Sequence, residues 1–145
     1  MTETTATPTG VIERELRIAA PPRTVFAFWT DPARIVRWMG RTAVFEPRVG
    51  GAFRLDYNGS DIARGEILEF DPPRRLVISW GWEAPGDATP PGSSTVEVVI
   101  EPDGSGGSVL RLVHRGLAPE AVEGHAAGWD QFLPGLVNVA GASGS

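Results

Sequence analysis

The sequence contains no cysteine, and no lysine occurs among its 145 residues, so every basic side chain is an arginine. Without cysteine there is no disulfide, no thiolate nucleophile and no cysteine-ligated zinc. Without lysine there is no Schiff base on a side-chain amine, and the bias fits a GC-rich genome. Histidine is scarce as well. His114 and His125 are the two present, and no HExxH spacing sets a pair over a metal ion. Neither a metal nor a cofactor is therefore expected. The formal charge is −5, and the arginines are scattered, as at Arg14, Arg34, Arg54, Arg75 and Arg111. A nucleic-acid partner would need a basic stripe to displace counterions from phosphates, and that class is set aside. No run of about 18 consecutive apolar residues exists, so membrane insertion is not expected. The opening MTETTATPTG carries neither the apolar stretch nor the basic start of a targeting sequence, and is read as the flexible tail of a cytoplasmic protein. Asn58, Gly59 and Ser60 form a glycosylation sequon that, without secretion, is only a turn.

What the chain does have is apolar bulk, with 41% hydrophobic residues and five tryptophans. That suits a single globular domain with a real core, expected over residues 11–140 between a tail at 1–10 and a frayed end at 141–145. Strand patterning covers Val11 to Ala19, where Ile12, Leu16 and Ile18 share a face among charged neighbours. Six more strand patterns follow at Ala43 to Pro47, Ala52 to Tyr57, Ala63 to Phe70, Arg75 to Trp82, Thr95 to Glu101 and Ser108 to Arg115. Turn-forming residues separate them, including Asp71 to Pro73 and the run PDGSGG from Pro102. The Gly/Pro/Ser-rich stretch from Ala84 to Ser94 is expected to be a mobile connection. Pro21 and Pro22 open a helix bearing Val25, Phe26, Phe28 and Trp29 on one face. Asp31 and Pro32 start a second short helix, expected to run through Ile35 and Trp38 to a stop at Gly40. Pro119 and Glu120 start a last helix with Val122, Ala126, Trp129, Leu133 and Leu136 in one stripe. Pro134 should kink or break it.

The candidate site residues follow from strand and helix parity. Leu110, Leu112 and His114 lie on one face of their strand, opposite Arg111 and Arg115, which turns His114 inward. His125 borders the inward stripe of the last helix. Either imidazole can serve as an acid, a base or a hydrogen-bond anchor; either can equally be a histidine bonded to a carbonyl or water at a cavity edge. Trp29, Trp38, Phe53, Trp80, Trp82, Leu112 and Trp129 supply apolar surface for a flat ligand or simply fill the core. Trp80 and Trp82 share a face, Val77 and Ser79 the other, and Trp38 at a helix end suits a cavity mouth. Tyr57 can donate its phenolic hydrogen to a ligand carbonyl or face solvent in its hairpin. Glu66, Glu69, Glu83, Glu97 and Glu101 alternate with apolar residues as on a wet sheet face, which argues against paired-carboxylate catalysis.

The segments FWTDPARIVRW from Phe28, RGEILEFDPPRRLVISWGW from Arg64 and HAAGWDQFL from His125, in that order, resemble the START-like, birch-pollen-allergen-like SRPBCC superfamily. Within it the chain is most similar to the family named after the activator of the heat-shock-protein-90 ATPase, from Val11 to Leu136. The resemblance implies an α+β helix-grip fold, β-α-α-β6-α: a seven-stranded antiparallel sheet wrapped around a long C-terminal helix with an internal cavity. It also implies a bacterial, cytoplasmic protein, monomer or homodimer, that binds a small hydrophobic, aromatic or polyketide-like molecule or a lipid. Two alternatives stand beside that. One is an enzyme similar to polyketide aromatase/cyclases, for which His114, His125 and Tyr57 would have to converge. The other, ranked last, is a protein that stimulates a chaperone ATPase; eukaryotic members with that activity carry an additional N-terminal domain, for which this chain has no room.

Overall fold

Apolar and polar residues alternate along most strands, which bury one face of side chains and wet the other, whereas the central run RLVISWGW is buried on both. The computed structural model describes residues 10–143. Its elements are β1 (Ile12–Ile18), α1 (Pro22–Thr30), α2 (Pro32–Ile35), β2 (Thr42–Phe45), β3 (Ala52–Asp56), β4 (Ile62–Asp71), β5 (Arg75–Trp82), β6 (Ser94–Pro102), β7 (Ser108–Arg115) and α3 (Pro119–Ser143). The strands form one seven-stranded sheet in the order β1-β7-β6-β5-β4-β3-β2, with every neighbouring pair antiparallel. This is the expected β-α-α-β6-α helix-grip architecture.

The covered face carries Ile12, Leu16 and Ile18, Phe53 and Leu55, Ile78 and Trp80, Val96 and Val98, and Leu110 and Leu112, all packed in the core beneath the helices. The C-terminal half of α3 seals it with Leu133, Leu136 and Ala140. On the opposite face the glutamates meet arginines. Arg75 bridges Glu69 and Glu97, Arg115 also reaches Glu97 at 2.9 Å, and Arg111 pairs with Glu15 at 3.0 Å. Burial alone would raise the Glu97 carboxyl, but bonds and charge from Arg115 and Arg75 hold it below the usual carboxylate range. Glu15, Glu69 and Glu97 of that face thus cross-link the sheet.

Four expectations need correction. The second helix stops at Ile35, and Trp38 lies in the turns that follow, where its amide bonds Ile35 O at 3.1 Å before Gly40 reverses the chain at φ +79°. Pro134 does not break α3, which continues to Ser143. The amide it lacks would have served the carbonyl of Asp130, an exposed residue that water can satisfy. Gly10 is no part of a tail: it is buried, and its carbonyl accepts the Leu117 amide at 3.2 Å. Residues 141–143 are helical, while the rest of the two expected tails lies outside the described residues. Finally, the stretch after β5 is tied back rather than loose. Trp82 N donates to Thr89 O at 2.8 Å and Ser94 Oγ to Trp80 O at 2.8 Å. A Cβ on Gly81 would fall 2.0 Å from Pro90 O, so only glycine permits this close return.

Candidate functional site

The N-terminal half of α3 stands off the sheet and leaves a cavity of about 820 Å³. Four segments enclose it: Met39 and Gly40 after α2, the Tyr57–Ile62 turn, the Ala84–Thr89 return with Trp80 and Trp82, and one side of α3. From α3 come Ala121, Gly124, His125, Gly128, Trp129 and Phe132, successive residues of one helical face. Among the proposed ligand-binding residues, Tyr57, Trp80, Trp82, His125 and Trp129 line it.

The others do not. Trp38 is buried against Trp29 with ring centroids 4.9 Å apart, and its indole donates to Phe28 O at 2.8 Å; Met39 and Gly40, next in the chain, line the cavity in its place. Phe53 stacks behind Trp80, and Leu112 belongs to the sealed core. Parity turned Leu112 and His114 inward; position along the crossing helix decides which inward residues remain uncovered. Met39, the polar turn Asn58–Asp61 and the Ala84–Thr89 return carried no periodic signal. Gly124 and Gly128 did leave one, as glycines four apart inside a helix.

His114 is fully buried, and its hydrogen bonds define its proton. Ser94 gives its own hydrogen to Trp80 O, so Ser94 Oγ accepts from His114 Nε2 at 2.9 Å. Trp129 Nε1 donates to His114 Nδ1 at 3.1 Å, which needs that nitrogen bare. The ring is therefore neutral, protonated on Nε2. Desolvation, helped by the nearby His125, pushes its pKa down to about 3. His125 has the opposite tautomer: Nε2 accepts from Trp82 Nε1 at 2.9 Å, leaving Nδ1 to donate to Ala121 O at 2.8 Å. The two rings meet edge to face at 5.1 Å. Tyr57 packs against Trp82 and Phe132, and burial raises its phenol, which stays protonated as a donor. His114, His125 and Tyr57 do gather around Trp82 and Trp129. Both nitrogens of each imidazole are nevertheless occupied.

Two buried polar atoms on the cavity wall have no partner: Trp80 Nε1 and Thr89 Oγ1, on residues 2% and 1% exposed. An unpaired buried donor costs about 1–3 kcal/mol unless something else satisfies it. The helix glycines point the same way. A Cβ built on Gly124 or Gly128 meets nothing within 4 Å, so no packing contact requires glycine there. Each costs the helix roughly 0.5–1 kcal/mol relative to alanine. Gly124→Ala and Gly128→Ala are accordingly expected to stabilise the fold by that amount each, read by urea denaturation. A loss of stability would show that the space is occupied by protein.

Among the described residues, no three His, Asp or Glu side chains are grouped to hold a metal ion, and no helix is long and apolar enough to cross a membrane.

No curated protein matches the chain. Among solved structures it is similar to an AHSA1-like protein of Rhizobium etli, with 43% identity over 96% of this chain and 87% of that one, and a TM-score of 0.72. CalU16 of Micromonospora echinospora is 34% identical over 90% of this chain and 74% of its own, with a TM-score of 0.74. An HSP90 activator from Plasmodium falciparum is 25% identical over 91% of this chain and 96% of that one, at a TM-score of 0.76. Residues 19–141 match the family described as activator of Hsp90 ATPase homolog 1-like protein, and the chain belongs to that family.

Proposed function

We propose that the protein binds a small, flat, hydrophobic molecule in the cavity beneath the first half of α3. The observation that carries this is the combination of about 820 Å³ of space, walls of Tyr57, Trp82, Trp129 and Phe132, and glycines where a larger side chain would fill it. A cavity of roughly 300–1,000 Å³ suits one drug-sized ligand, held mainly by apolar contact and oriented by a few polar groups. Tyr57, whose phenol stays protonated as a donor, is such a group. Binding without chemistry is favoured over the cyclase-like alternative because both histidines have committed ring nitrogens, and acid–base work needs one within reach of substrate.

Flavonoids and aromatic polyketides titrated into the protein should quench its tryptophan emission with saturation in the micromolar range, while mass spectrometry shows the ligand unchanged. Gly128→Leu should fold and melt at or above the parent temperature yet lose the quenching, because its side chain enters the cavity. Chemical conversion abolished by His125→Ala would replace this reading with the enzymatic one. The likeness to the Plasmodium activator supports a second reading, stimulation of a chaperone ATPase. It would be established by faster ATP hydrolysis by the Hsp90 of the same organism when the protein is added.

A further inference from the structure

The carboxylates and guanidinium groups of the molecule are unevenly shared with the cavity wall, which carries acids only. Its ionisable acids are Asp61 from the β3–β4 turn, Asp87 from the return after β5 and Glu120 from the first turn of α3. No arginine lines it. Ten carboxylates of this molecule pair with guanidinium groups, but the arginines of this end are engaged away from the three acids. Arg41, which reaches the turn at Gly59, pairs with Asp56 at 3.5 Å; Arg54 and Arg64 converge on Glu83 at 3.1 and 3.8 Å. The acids' visible bonds are short-range and neutral. Asp61 Oδ2 accepts from Asn58 Nδ2 at 2.8 Å, Asp87 Oδ1 accepts from Thr89 N at 2.8 Å, and Glu120 makes none among the described residues. Three elements thus bring exposed acids without arginine partners to the rim of a space lined by aromatic faces, on a protein whose formal charge is already −5.

This combination selects by charge. A carboxylate or enolate entering here gives up water, meets like charge and finds no cationic partner, each of which opposes binding. A protonated amine meets the acids, and the faces of Trp82, Tyr57 and Phe132 attract cations through their ring quadrupoles. We infer that the cavity takes a flat aromatic ligand bearing a protonated amine, and that it rejects aromatic and fatty carboxylates. This inference rests on the binding reading above and adds the sign of the ligand's charge.

A matched anthracene series isolates that sign, because the ring is constant: 9-anthracenemethylamine as the cation, 9-anthracenemethanol as the neutral and anthracene-9-carboxylate as the anion. Dissociation constants at low ionic strength, measured by fluorescence titration of the full chain, should order amine, alcohol, carboxylate, with at least a tenfold gap between first and last. Raising the salt concentration should narrow the gap, as screening demands. The Asp87→Asn, Glu120→Gln double variant should weaken the amine several-fold and leave the alcohol unchanged. If the alcohol binds but the carboxylate binds as tightly as the amine, the charge inference is overturned while the binding function survives. If none of the three binds and flavonoids and polyketides also leave the emission unchanged, the binding function fails and this inference with it. Equal weakening of amine and alcohol in the double variant would show that the acids act only by shaping the wall, which also overturns it.

Discussion

Trp129→Ala is expected to lower the free energy of unfolding by about 3–5 kcal/mol, the usual cost of truncating a large core aromatic. Trp129 is 4% exposed, and its ring packs on Trp29, Trp80 and His114. It sits where α3 passes from the cavity to the sealed core, so its loss opens a void between two other tryptophans at the inner end of the cavity. The substitution also removes the donor to His114 Nδ1, leaving a buried acceptor unpaired. Trp129→Phe separates the two effects. It keeps most of the ring and should cost about 1–3 kcal/mol, the range for an unsatisfied buried group. Urea denaturation followed by far-ultraviolet circular dichroism measures both. Unchanged stability in the alanine variant would mean that α3 is not anchored at this residue.

The second large effect concerns acid. The folded protein holds His114 neutral down to about pH 3, whereas its ordinary value, the one it regains on unfolding, is 6.5. Below pH 6.5 the unfolded chain therefore takes up a proton that the folded chain refuses. The stability contributed by the neutral ring is fully present above pH 6.5 and is lost as pH falls towards about 3, the folded value. The slope should be roughly 1 kcal/mol per pH unit, close to the limit for one proton. Carboxylates such as Glu97 and Asp130 are held low by arginine and add their own loss only below the usual carboxylate value of about 4.5. The interval from pH 6.5 to 4.5 thus isolates imidazole. His114→Asn, which keeps an acceptor near the Nδ1 position, should be less stable at pH 7.5 but show a nearly flat profile over that interval. A wild-type profile that is itself flat there would show that His114 is hydrated.

The strands were legible because their signal is local. Alternation, Pro72 and Pro73 after Asp71, and the glycines after Asp103 fix where each strand begins and ends within a residue or two. The caps were legible for the same reason: Asp31 accepts from Ala33 N at 3.0 Å as an N-cap with proline behind it should. The helix through Pro134 was not, because the penalty depends on whether the stranded carbonyl is wet, and that is a tertiary fact. The site was half legible. Parity put Trp80 and Trp82 on one face and turned Leu112 and His114 inward, but the first two line the cavity and the others lie beneath packed side chains. What separates them is the line along which α3 crosses the sheet. The Ala84–Thr89 return was least legible of all, since its role comes from one backbone bond to Trp82 and the clearance of Gly81.

The order of the sheet leaves β1 and β2 as its edges, where unpaired amides and carbonyls can template aggregation. Each edge is blunted differently. β2 is four residues long, too short to align a long incoming strand. β1 is longer, but Arg14 shares the inward parity of Ile12 and Leu16 and crosses to Asp130 of α3 with a 2.7 Å contact. Extending the sheet past β1 would strip water from that ion pair and crowd it against the newcomer. Growth of the sheet from molecule to molecule is thereby discouraged, and self-association, where it occurs, is directed towards faces and away from strand edges.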